Sequence, residues 1–134
     1  VGVCCGITTL LRGTAYHSAG GSIYIPNEVM DKFGLSSHTL LHGPADATQR
    51  KALEESVFDV ASQANAHLEK ARQLVSDGLP NGSIHALLPG VSSSLLLEKL
   101  REANFNPFDS QFVEAQNPLR LQLSLLRARL LSRV

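Results

Sequence analysis

VGVCCGITTLLRGTAYHSAGGSIYIP, running from Val1 to Pro26, changes character three times within its length. Val1 to Leu11 is apolar, with Gly2 and Gly6 one turn apart and with Cys4, Cys5, Thr8 and Thr9 set between aliphatic residues. Small residues at i, i+4 let helices approach closely, whereas Val, Ile and Thr also suit a strand, so this run alone leaves both readings open. Arg12 closes the apolar run. Gly13 to Gly21 is marked by Gly and Ser and reads as a loop; Ile23-Tyr24-Ile25-Pro26 reads as a short extended piece closed by proline. The order is an apolar element, a cationic end, a loop and an aromatic anchor.

Beyond Pro26 the chain reads as a series of helices. Asn27 is a candidate cap for a short helix through Glu28 to Phe33, with Gly34 as its stop. Ser36-Ser37-His38 opens another that carries Leu40 and Leu41, and His42-Gly43-Pro44-Ala45-Asp46 is a short loop. From Thr48 to about Ser76, Leu53, Val57, Val60, Ala61, Ala64, Leu68, Ala71, Leu74 and Val75 recur at steps of three and four. That period predicts a long amphipathic helix. His67 has Ala71 one turn on rather than a Cys, Asp or His, and so reads as a surface or interhelical histidine. Asp77 to Gly82 breaks the helix and Pro89-Gly90 interrupts again. Ser92-Ser93-Ser94, lacking the Gly-rich turn and Lys of a phosphate loop, reads as a helix start leading into Leu95 to Arg101.

The last segment, Asn117 to Val134, is rich in leucine and carries Arg120, Arg127, Arg129 and Arg133 with no acid, and Pro118 suits a first helical turn. Such a helix can lie on an anionic membrane or dock on a partner. A terminal core helix with solvated arginines is the commoner fate of a leucine stripe and is the expectation here.

Composition sets the outer limits. The 134 residues suffice for one modest domain, with 43% hydrophobic residues, ordinary for a globular chain. Twelve basic residues balance twelve acidic ones and aromatics make up 5%, so neither a bulk positive field nor stacking platforms point to nucleic acid. No apolar run approaches the roughly 18 to 20 residues that span a bilayer. Cys4 and Cys5 are adjacent, with no Cys-x-x-Cys or Cys/His cluster, and read as small buried thiols in a reducing compartment. No metal site and no cofactor are expected.

The opening stretch resembles the squalene/phytoene synthase family. In that family a helix ending in Asn-Ile-Leu-Arg-Asp is followed by an acidic pair and by Gly-Arg-x-Tyr-Leu-Pro. Thr9-Leu10-Leu11-Arg12 falls on the helix end and Gly21 to Pro26 on the Tyr-Leu-Pro segment, without a gap. The family's acids there hold magnesium, which in turn holds a substrate diphosphate. Here Gly13 stands for the aspartate after the arginine, and Tyr16 and His17 for the acidic pair. The resemblance therefore implies a degenerate diphosphate site at Arg12, Gly13, Tyr16, His17 and Tyr24, with no catalytic residue. Leu11 to His17 is similar to a non-catalytic branch of the family whose members act in assembly of mitochondrial respiratory complex I. Ala64, His67, Leu68 and Ala71 match the family's Ala-x-x-His-Leu-x-x-Ala helix, and Asn104 to Asp109 approximates its Asn-x-Phe-Asp.

The resemblance implies an all-α fold, with residues 1–134 forming the C-terminal part of an isoprenoid-synthase-like bundle whose N-terminal half lies elsewhere or on another polypeptide. It implies a non-catalytic protein on the matrix side of the mitochondrial inner membrane. Its partners would be complex I assembly intermediates, with peripheral membrane contact through Arg120, Arg127, Arg129 and Arg133 as a further expectation. A structural subunit of a large mitochondrial complex is the alternative, and an active prenyl-diphosphate-using synthase the second alternative.

Overall fold

The computed structural model describes residues 1–78, 84–113 and 118–131, and these residues form helices and connecting turns without a strand. The apolar opening is a helix, α1 (Gly2–Arg12), which settles the helix-or-strand ambiguity. Its Cys4, Thr8 and Leu11 fall on one face and are buried, while Gly2 and Gly6 face outward with no neighbour near the position a Cβ would take. The two glycines therefore create no close helix approach among the described residues.

Three short helices lead to the longest one. α2 (Thr14–Ala19) follows α1 directly, α3 (Asn27–Phe33) follows the extended Ser22–Pro26 piece, and α4 (Ser37–His42) precedes α5 (Ala47–Ser76). Asn27 proves to be the first helical residue rather than the cap, since Pro26 holds the cap position and no side chain caps α3. Gly34 does end α3, in the left-handed region at φ 67°. Ser36 caps α4 by accepting from the Thr39 N–H, and Asp46 caps α5 by accepting from the Gln49 N–H at 2.8 Å. Gln49 Oε1 in turn accepts from Thr39 Oγ1 at 3.1 Å and from the Ala45 N–H at 3.2 Å, tying α4 to the start of α5.

α5 runs for 30 residues and supplies the spine. Leu53, Val57, Ala61, Ala64, Leu68 and Ala71 are buried along one stripe, as their period requires, whereas Leu74 is exposed in the last turn. His67 is exposed. α6 (Ile84–Leu87) is one turn, and α7 (Pro89–Glu102) begins on its proline. Pro89 thus starts a helix instead of interrupting one, because a first-turn N–H has no intrahelical acceptor to lose. α8 (Ser110–Val113) and α9 (Pro118–Leu131) complete the described elements.

α1 lies against both α5 and α7, α3 crosses α5, and α9 lies on α7. The main core joins Leu11, Ile25, Met30, Leu40, Leu53, Val57, Leu96 and Leu100, and a smaller one joins Cys4, Ala64 and Leu68. The serine run sits on α7, with Ser93 facing α1 and Ser94 facing α5: Thr8 Oγ1 donates to Ser93 Oγ at 3.1 Å, Ser93 Oγ donates to Cys5 Sγ at 3.3 Å, and Arg72 of α5 donates to Ser94 Oγ at 3.0 Å. The last helix departs from the core expectation. Ala128 is buried, but Leu119, Leu123 and Leu126 are exposed. No described helix is long and apolar enough to cross a membrane.

Candidate functional site

The end of α1, all of α2 and the Ser22–Pro26 piece form one compact corner. Gly13 is in the right-handed helical region (φ −80°, ψ −3°), and its N–H donates to the Thr9 carbonyl at 3.0 Å. The helix therefore bends instead of stopping, and the expected loop from Gly13 to Gly21 contains α2. Gly13 and Gly20 mark the ends of this short helix, and Ser18 lies buried within it. After Ala19 the chain reverses: the Gly20 N–H reaches the His17 carbonyl at 3.0 Å, the Ser22 N–H reaches it at 2.9 Å, and Gly21 takes φ 76°. That left-handed residue is sterically open only to glycine or a few polar types. Ile25 then anchors the returning chain in the core.

The reversal brings Tyr24 back onto α2. The His17 and Tyr24 rings meet edge to face with centroids 4.6 Å apart, and Tyr16 meets His17 at 5.6 Å in the same manner. Gly13 forms the floor beneath the imidazole. A Cβ at position 13 would lie 2.7 Å from His17 Nε2 and 2.8 Å from Cδ2, so glycine is what lets the ring lie there. Tyr16 is 81% exposed, Tyr24 is exposed, and His17 is half-buried between them. Arg12 is also exposed and, among the described residues, its guanidinium does not stack on any of the three rings. Of the five positions singled out from sequence, the structure brings Gly13, Tyr16, His17 and Tyr24 together and leaves Arg12 at their edge.

Magnesium does not fit this corner. It takes hard oxygen donors at close range. The first acid of the chain is Glu28, and the positions at issue offer a glycine, a phenol and an imidazole already held in ring contacts. The cleft between Thr14, His17, Tyr24 and Leu40 leaves no space even for water. Among the described residues no three of His, Cys, Asp and Glu converge as a metal set. The two cysteines differ in exposure. Cys4 is fully buried, and burial pushes its thiol above the ordinary value, while Cys5 is half-buried, a departure from the paired burial expected.

The arginines of α9 lie elsewhere. Arg120, Arg127 and Arg129 are exposed on that helix, and Arg120 pairs with Glu98 of α7 at 3.3 Å. Arg133 lies outside the described residues.

The squalene/phytoene synthase family model matches residues 1–127. The chain belongs to the squalene/phytoene synthase family. Its all-α architecture is the helical isoprenoid-synthase type that this membership implies. The chain is 35% identical over 121 residues, 90% of its length, to a Dictyostelium discoideum protein named NADH dehydrogenase (ubiquinone) complex I, assembly factor 6 homolog. It is 39% identical over 100 residues, 75% of its length, to the Drosophila melanogaster homolog of that factor. It is 32% identical over 123 residues, 92% of its length, to the Rattus norvegicus assembly factor 6. The chain covers 33%, 29% and 35% of these three proteins, about a third of the length of the curated relatives it matches. No solved structure matches it.

Proposed function

We propose that this synthase-family chain serves in the assembly of mitochondrial respiratory complex I, and that it does so by binding and not by catalysis. The observation that carries the reading is its similarity to the named assembly factors across most of its length, at 35% identity to the Dictyostelium protein and 32% to the rat protein. The corner around His17 supports the second half of the proposal. With no carboxylate to hold magnesium, Arg12, Tyr16, His17 and Tyr24 present a cationic and aromatic surface that suits contact with a protein better than phosphate chemistry.

On this reading Tyr16 and Arg12 make the partner contact, while Gly13 and Tyr24 hold His17 in place. The protein works on the matrix side of the inner membrane, and its partners are complex I assembly intermediates. Residues 1–134 act as the C-terminal part of a larger helical bundle. The exposed apolar residues Val3 and Leu10 on α1 give that arrangement its motive, since they offer surface for further helices.

Two measurements on the full-length protein test the proposal. Affinity capture from cross-linked mitochondria is expected to enrich complex I subunits, with the yield reduced at least about tenfold by Tyr16→Ala combined with Arg12→Ala, as for loss of a hot spot. Incubation with farnesyl or geranylgeranyl diphosphate and magnesium is expected to give no product. Turnover that disappears on changing Arg12 would overturn the non-catalytic reading.

A further inference from the structure

α5 and α7 both pack against α1, and beside that contact they leave a cleft of about 340 Å³ between Phe58 and Arg72 on one side and Phe105 and Ser94 on the other. At 1.5 Å per residue the cleft is about 20 Å long. Buried Ala61 and half-buried Leu97 form its floor, with Ser62 and Asn65 exposed on one wall and Glu98 and Arg101 on the other. Two rings close one end: Phe58, 54% exposed, meets Phe105 edge to face with centroids 5.0 Å apart. The turn that sets Phe105 there is unusual. Asn104 and Phe105 both take the left-handed region, at φ 51° and 58°, and a bulky aromatic rarely does so. The charges of the cleft are unequally engaged. Glu98 pairs with Arg120 and Arg72 with Glu69, whereas Arg101 has no acidic partner among the described residues.

We infer that this cleft binds an extended acidic peptide, with an apolar side chain in the notch of Phe58 and Phe105 and a carboxylate on Arg101. Its width selects an extended chain. The 340 Å³ spread along the cleft is room for a single strand, about six residues at about 3.3 Å each, whereas a docked helix is about 10–12 Å across. Its walls select a peptide over a hydrocarbon. Asn65 carries a donor and an acceptor and Ser62 a hydroxyl at mid-length, where backbone amides can pair with them and an alkyl chain would leave them unpaired. Charge selects the acid, because Arg101 can hold a carboxylate through two parallel N–H donors while Arg120 already engages Glu98. The cleft is lined by α5, α7 and the turn after α7, so the inference rests neither on the corner around His17 nor on the assembly role.

Fluorescence polarisation with the full-length protein tests it. The probes are fluorescein-labelled hexapeptides carrying one phenylalanine and one aspartate at every spacing, together with the same peptides bearing lysine in place of aspartate. At least one aspartate peptide is expected to bind, and its lysine counterpart to bind at least about tenfold more weakly. Phe58→Ala and Arg101→Glu should each weaken binding by about tenfold or more. Ser62→Trp, which puts bulk into the cleft from an exposed site, should abolish it. Circular dichroism and thermal unfolding show that these surface variants remain folded, and Tyr16→Ala with Arg12→Ala should leave binding unchanged. No binding by any aspartate peptide, equal binding by the lysine peptides, or binding that either folded variant of Phe58 or Arg101 leaves unchanged would overturn the inference. Loss of binding on Tyr16→Ala with Arg12→Ala would overturn it by placing the peptide at the other corner. Laurate that displaces the peptide and binds more tightly than every hexapeptide would overturn it in favour of an acyl chain. A wild-type dimer that Arg101→Glu dissociates in sedimentation would overturn it in favour of a second copy. Complex I levels in a deletion strain report on the assembly reading separately.

Discussion

At the residue scale, Gly13 and His17 form a coupled pair whose energetics can be read from one distance. Replacing Gly13 with Ala adds helix propensity, worth about 0.5–1 kcal/mol, but sets a Cβ 2.7 Å from His17 Nε2. The imidazole must then leave its edge contact with Tyr24, which forfeits about 0.5–1.5 kcal/mol of ring interaction together with local packing. Gly13→Ala is therefore expected to be neutral to about 1 kcal/mol destabilising in the wild type and to become stabilising in a His17→Ala background. A double-mutant cycle by chemical denaturation measures the reversal; equal effects in both backgrounds would show that the ring does not rest on Gly13. Ser56 supplies a second case. Its Oγ is buried with no hydrogen-bond partner among the described residues. Removing an unsatisfied hydroxyl costs little, so Ser56→Ala is expected to leave stability unchanged or raise it by up to about 1 kcal/mol.

The residue scale also shows what the sequence made legible. That Gly13, Tyr16 and His17 are not acids is evident from the string itself. The packing of Tyr24 on His17 is not, because it depends on a reversal through Gly20 and Gly21 whose direction is set by one left-handed φ. A Gly-Gly pair directly after a segment able to form a short helix was the available signal, and it was masked by reading every Gly and Ser as loop.

At the element scale, α1 is fixed to its neighbours by a polar seam as well as by packing. Thr8, Ser93 and Cys5 form a hydrogen-bonded chain between α1 and α7, while Cys4 lies fully buried beside Ala64 and Leu68. The thiolate is the reactive form, and burial raises the Cys4 thiol's pKa, so both access and protonation protect it. A maleimide is expected to modify Cys5 in the native protein and Cys4 about a hundredfold more slowly, through local opening. In a Cys5→Ser variant of this chain, native labelling should nearly cease and return on denaturation; rapid labelling of that variant would contradict the packing of α1 on α5.

α3 is joined to α5 by Lys32 and Asp59 at 2.6 Å, with Gln63 also donating to Asp59 at 3.1 Å. The bonds from Lys32 and then Gln63 hold the Asp59 carboxyl below its ordinary 3.8. A depressed folded value means that the contribution is present above pH 3.8 and is lost as the pH falls through the folded value. Because Lys32 is largely exposed, Lys32→Ala should cost only about 0.2–1 kcal/mol at neutral pH. Denaturation curves are expected to show that difference shrinking in acid and in high salt. A cost that persists unchanged in acid would assign it to the Lys32 ammonium over the Phe33 ring, 4.8 Å from its centroid, instead.

The elements also differ in how plainly the sequence announced them. α5 was visible because six of its apolar positions are buried along one stripe that runs across both cores, so period and burial agree. α9 was misread as a core helix because a leucine repeat states only that a face is apolar. What covers that face depends on neighbours that periodicity does not encode.

At the scale of the whole molecule, the all-α arrangement and the family are the firmest conclusions, since the helical order and the family match over residues 1–127 agree. α5 bears the most packing at this scale. Leu53 and Leu68, fully buried in the larger and smaller cores, are each expected to cost about 2–5 kcal/mol when changed to Ala. Leu74→Ala, at an exposed site of the same helix, should change stability by no more than about 0.5 kcal/mol. The central claim is that a synthase-family bundle with no acid at the corner around His17 serves complex I assembly. Deleting the gene in its source organism and resolving mitochondrial membranes by native electrophoresis with an in-gel NADH dehydrogenase stain tests that claim most directly. The account predicts loss of fully assembled complex I and its return when the full-length protein is re-expressed. Normal complex I in the deletion strain would contradict it.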